Sequence, residues 1–103
     1  MSNTLTLSAS GTGGCSPDQD PWTPTHGADV TIINNSGSAQ TLSDISNGCL
    51  VKSGQGSVTS IALAAAAGSS WTGKAGSAGA NGTYVYNDGS NKRGMRTGTI
   101  DPS

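Results

Sequence analysis

The sequence predicts an all-β fold, a small antiparallel Greek-key β-sandwich of seven to eight short strands in a single domain spanning residues 1–103. Three observations carry that prediction. Half of the 103 residues are Gly, Ser, Thr or Asn, and there is no Phe and no Glu. With so few Leu and Lys as well, helices would lack their usual formers. Short runs of alternating apolar and hydroxyl residues recur between Gly, Asn and Pro turn signals every 8–12 residues, the spacing of a sandwich or barrel. A net charge of only -1 removes the charge repulsion that accompanies disorder in chains poor in large apolar residues.

The elements follow in order. Residues 3–9 (NTLTLSA) place Leu5, Leu7 and Ala9 on one face and hydroxyls on the other. Residues 10–28 read as a long irregular loop holding three prolines, the first cysteine, Trp22 and the sole histidine, His26. Residues 29–35 (DVTIINN) form a strand that ends at an Asn-Ser-Gly turn, and residues 39–45 form the next, closed by Asn47-Gly48. Residues 49–52 are expected as a short edge. Residues 57–63 alternate Val58, Ser60 and Ala62 against Thr59, Ile61 and Leu63. Four alanines, 64–67, suit a helical turn but are too few to hold a helix alone. Residues 69–74 centre on Trp71. Residues 83–87 (TYVYN) set Tyr84 and Tyr86 on one face, and residues 95–101 supply the last strand.

Cys15 and Cys49 lack a CxxC pattern, and one histidine leaves too few ligands for zinc. A Cys15–Cys49 disulfide is expected; it would close a long loop and stabilise by about 3–4 kcal/mol on the chain-entropy model. Such a bond implies an extracellular or cell-surface setting. The opening MSNTLTLSASG has no basic residue and no apolar block, so it is not a signal peptide. Either the chain stays inside the cell or an export signal has already been removed. No run reaches the roughly 18 apolar residues of a transmembrane segment.

Charge is uneven along the chain. Residues 1–50 carry four aspartates and no Lys or Arg, whereas residues 51–103 carry all five basic residues and two aspartates. If those halves stay apart in space, opposite ends steer head-to-tail contact between copies. If distant strands interleave, the charges mix and the effect disappears.

Catalytic parts are missing from the pattern. His26 follows a proline-rich stretch without a nucleophile elbow, and the aspartates are scattered rather than paired. The glycine-rich stretches 11–14 and 73–79 lack phosphate-loop spacing. The expectation is a non-enzyme with no cofactor. Lys92, Arg93 and Arg96 make one basic cluster, but nucleic-acid binding needs more positive charge and interleaved aromatics, so it is not expected.

From residue 29 on, the chain resembles the cupredoxins, small copper-binding Greek-key sandwiches. The resemblance rests on DVTIINNSGSAQTL (29–42), SIALAAAAGSSWTGKA (60–75) and GTYVYND…GMRTGTI (82–100). It implies that the family's copper ligands fall at Gln40, Asp88, Asn91 and Met95. Only Met95 keeps a ligand of the family's kind, and copper of the blue type needs two imidazoles and a thiolate. The implied protein is therefore a cupredoxin-like domain without its copper. NNSGSAQTLSDIS (34–46), AGSSWTGKAGSAG (67–79) and TYVY also resemble the aegerolysins and related crystal-inclusion sandwiches, which bind membrane lipid.

Three functions follow as expectations. The first is a structural or protein-interaction domain that self-associates into oligomers or filaments, supported by low charge and hydroxyl-rich strand faces. The second is a lipid- or glycan-binding module with Trp22 as the exposed contact and Trp71 in the core. The third is an altered copper site built from His26, Asp88 and Met95. Trp22, His26, Lys92, Arg93 and Arg96 are the candidate interaction residues.

Overall fold

A computed structural model describes residues 3–52, 54–90 and 95–103. Lys92, Arg93 and Asn91 therefore lie outside the described residues. The described chain is all-β, with no helix and ten strands: β1 (Thr4–Ser10), β2 (Gly14–Pro17), β3 (Asp29–Asn35), β4 (Gln40–Leu42), β5 (Leu50–Lys52), β6 (Gly56–Ser57), β7 (Ile61–Leu63), β8 (Ser69–Ala75), β9 (Gly82–Asn87) and β10 (Met95–Ile100). The count exceeds the expected seven to eight for two local reasons. Residues 14–17, inside the segment read as loop, pair with β1 as β2. The run 57–63, read as one strand, is split between two sheets.

Six strands form the larger sheet in the order β2-β1-β3-β8-β5-β6. Residues 49–52, expected at an edge, instead supply β5, which sits between β8 and the two-residue edge strand β6. The smaller layer joins two antiparallel pairs, β10-β9 and β4-β7. Reciprocal backbone hydrogen bonds between Ser43 and Val85, at 3.0 and 2.8 Å, stitch β4 to β9. All ladders are antiparallel except β1–β3, which runs parallel from Thr4↔Thr31 to Ser8↔Asn35. A parallel pair needs a crossover. Here the chain leaves β2, runs beside β10 in the other layer at Trp22, and returns as β3.

Alternation places the core. Leu5 and Leu7 of β1, Val30 and Ile32 of β3, Leu42 of β4, Ile61 and Leu63 of β7, Tyr84 and Tyr86 of β9, and Ile100 of β10 are buried in one cluster between the layers. Tyr84 lies across Gly98, its partner in register, where a Cβ would run into the phenol ring. Trp22 is fully buried in the same cluster, whereas Trp71 is only partly buried against it. The expected roles of the two tryptophans are thus reversed. Trp22 N–H donates to Thr99 O at 2.9 Å, and Asp101 N–H donates to Trp22 O at 2.8 Å. Those bonds make the residue an extra rung beside β10, with its indole buried in the core cluster.

The expected disulfide is absent: Cys15 and Cys49 are both free and buried. Their positions explain why. Cys49 Sγ packs beside Gly82 at the start of β9, while Cys15 sits by Asp88, just past that strand's end. Six strand residues at about 3.3 Å each separate these points by about 20 Å. A disulfide tolerates Cα atoms no farther than about 7 Å apart.

Candidate functional site

Cys15, Asp88 and Arg96 meet at one end of the sandwich, in a depression of about 180 Å³ completed by Ser10, Ser16 and Tyr86. Glycine makes this convergence. Gly11, with φ of 57°, and Gly14 carry the β1–β2 turn directly against Gly89, whose φ is 76°, in the loop after β9. A Cβ on any of the three would overlap backbone atoms of the other segment. Thr12 N–H seals the crossing with a 3.1 Å bond to Gly89 O.

Asp88 accepts the Ser90 N–H at 3.0 Å and Arg96 Nε–H at 2.9 Å. The Ser90 bonds first, and then the guanidinium, hold its carboxyl below the usual aspartate range. Cys15 is pushed the other way, to about 11, by burial and secondarily by the Asp88 charge. Cys49 is also raised, by burial and then by Asp101, and its thiol donates to Ala80 O at 2.8 Å. Cys15 therefore stays protonated at neutral pH and is a poor nucleophile.

The positions that the cupredoxin resemblance aligns with copper ligands do not fit that metal. Gln40 is buried, but its amide donates to Ser36 Oγ at 3.0 Å and to Gly13 O at 3.2 Å. Asp88 is committed to Ser90 and Arg96, and Met95 is 54% exposed. Two oxygen donors and a thioether lack the imidazole and thiolate set that blue copper requires. His26, Asp88 and Met95 do not converge either. His26 is exposed, with its backbone N–H and Nδ1 each 2.9 Å from Ser103 O, beyond the far end of β10 from Met95. Among the described residues, no three His, Cys, Asp or Glu side chains gather as a metal site.

Other surfaces distinguish the two layers. The outward positions of the smaller sheet are Thr41 on β4 and Ser43 just after it, Ala62 on β7, Thr83, Val85 and Asn87 on β9, and Met95, Thr97 and Thr99 on β10. Register aligns Thr97, Val85 and Ser43 in one row across the strands, with Met95 opposite Asn87 and Thr99 opposite Thr83. No ionisable group occupies any of these positions. The outward face of the larger sheet, by contrast, carries the Asp29–Lys74 ion pair at 2.6 Å. Of the smaller sheet's outward residues, sequence reading singled out only Met95, and that as a copper-ligand position. Their signal was diffuse, single hydroxyls on four separate runs, and only register brings them together.

Among the described residues, no helix is long and apolar enough to cross a membrane. Comparison with known proteins found no matching family model, no matching curated protein and no matching solved structure.

Proposed function

We propose that this chain is a non-enzymatic structural β-sandwich that associates with a second copy of itself through the outer face of its smaller sheet. The observation that supports this reading is the run of nine outward positions without an ionisable side chain, with Met95 the exposed large hydrophobic residue on it. Two copies of an uncharged face meet without like-charge repulsion and without stripping water from an ion. Two of the edge strands offer little for strand addition, and the longer edge β10 is already bridged by Trp22 at its Ile100 end. β6 has two residues and β7 three, short enough to offer little to another chain's ladder.

The face measures about 20 Å by about 20 Å from strand spacing and rise, or about 400 Å² per copy. That is about half the area per partner of a standard specific interface and makes the contact weak and transient, strengthened only by high concentration or repetition. Sedimentation equilibrium over a wide concentration range tests the reading. We expect reversible association that Val85→Lys and Met95→Lys each weaken, while Ser70→Lys on the exposed face of β8 leaves it unchanged. A strict monomer at the highest concentration, or equal behaviour of all three variants, would overturn it.

A further inference from the structure

A groove of about 420 Å³ opens over residues 29–31 of β3, residues 72–74 of β8 and Lys52 at the end of β5. Thr31 and Thr72 are partners in register, so their side chains stand side by side, and the Asp29↔Lys74 pair follows two residues along the same face. Lys74 is neutralised by Asp29 at 2.6 Å. Arg96 is likewise paired with Asp88 at 2.9 Å. Lys52 differs from both: among the described residues it has no carboxylate within ion-pair distance.

Lys52 is nevertheless held in place. Its Nζ donates to Thr72 O at 2.6 Å and lies 5.5 Å from the centroid of the Trp71 ring, a cation–π geometry. The indole itself packs against Gly73, where a Cβ would collide with the ring. A positioned ammonium without a carboxylate partner among the described residues thus lines the same groove as Thr31 and Thr72, with a single carboxylate at Asp29. An acid group on a ligand complements Lys52, and hydroxyls on the same ligand complement Thr31 and Thr72, each of which donates and accepts. Asp29, paired with Lys74 through Oδ1, can accept from a ligand hydroxyl at its second carboxylate oxygen.

We propose that this groove binds a small polyhydroxylated carboxylate, the chemistry of a sugar acid, with Lys52 holding the acid group and Thr31 and Thr72 hydrogen-bonding its hydroxyls. The site is independent of the self-association face, which lies on the other sheet.

Titration with glucuronate, followed by amide and Trp71 indole resonances in NMR, tests it, with glucose, propionate and inorganic phosphate as parallel probes. We expect saturable shifts at Trp71, Thr72, Gly73 and Lys74 with glucuronate, and binding at least about tenfold weaker for glucose and for propionate. Lys52→Gln is expected to weaken glucuronate by about tenfold or more, the loss of one charge-assisted bond. The double variant Thr31→Val/Thr72→Val should weaken glucuronate while leaving propionate unchanged. Glucuronate binding retained in Lys52→Gln, or phosphate and propionate matching glucuronate at the same resonances, would overturn the proposal.

Discussion

At the residue scale, the close crossing of the β1–β2 turn and the loop after β9 depends on missing side chains. Gly89 combines a positive φ with backbone atoms of Ser10 and Gly11 where a Cβ would stand. Gly89→Ala is therefore expected to destabilise the fold by about 2 kcal/mol or more, read as a lower urea midpoint with an unchanged slope. The two thiols give a second expectation. Both should resist a thiol reagent in the native protein and react fully once it is unfolded, since both are buried and unbonded. Their folded pKa values lie above the ordinary thiol value of 9.0, with Cys15 at about 11. Unfolded thiols then release protons that folded ones keep, so the stability they contribute is complete below about pH 9 and is lost as pH rises toward 11. Tyr86 is raised as well, chiefly by burial, and adds to the same alkaline loss. Thermal melts from pH 7 to 11 should show this decline, and Cys15→Ala should make it shallower.

Among the elements, the strands with unbroken two-residue alternation were legible. Residues 29–35 form β3 as read, and residues 83–87 and 95–101 match β9 and β10 to within a residue at either end. Runs that change layer were not. The stretch 57–63 alternates as a single strand would, yet Val58 is buried together with Ile61 and Leu63, from the opposite phase. The chain is crossing from β6 in one sheet to β7 in the other, and a period-of-two reading assumes that the strand stays put. Trp22 failed for a related reason. Its DPWTPTH context signals a loop, but whether a loop side chain points out or in depends on what passes beneath, and here that is β10, some eighty residues later. Trp22→Ala is expected to cost about 3–5 kcal/mol, as truncation of a buried large aromatic does. In a domain with a total of roughly 5–15 kcal/mol, circular dichroism should show a large fall in melting temperature. In the native wild-type protein, an aqueous quencher should reach Trp71 and spare Trp22.

At the scale of the whole molecule, the described residues of the acidic and basic halves interleave instead of lying at opposite ends. Asp29 of the acidic half pairs with Lys74 of the basic half across β3 and β8. Asp20, also in the acidic half, accepts the Thr99 N–H at 3.0 Å on the last strand. Head-to-tail attraction between opposite ends therefore loses support, and the smaller sheet's uncharged face is the surface we propose for association in its place. Salt separates the two ideas. Contact through an uncharged face should be unaffected or slightly strengthened by added sodium chloride, whereas charge-steered contact would weaken as the Debye length shrinks. Light scattering across a salt series at fixed protein concentration reads the difference. The candidate site was legible only as composition, an excess of hydroxyls and a lack of charge. Its boundaries required register, because nine residues on four strands share that face without being neighbours in the chain.

The rung that Trp22 adds beside β10 also has a consequence for biosynthesis. Residues 4–35 emerge from the ribosome long before residues 95–100 exist to receive Trp22. Until then the Trp22 indole has no completed pocket, and β1 and β3 are bridged by a crossover with nothing to lie against. The segment around Trp22 therefore stays without its native partner until residues 95–100 have emerged. Closure of the sandwich is in that sense set by the emergence of residues 95–100 rather than by that of the first strands.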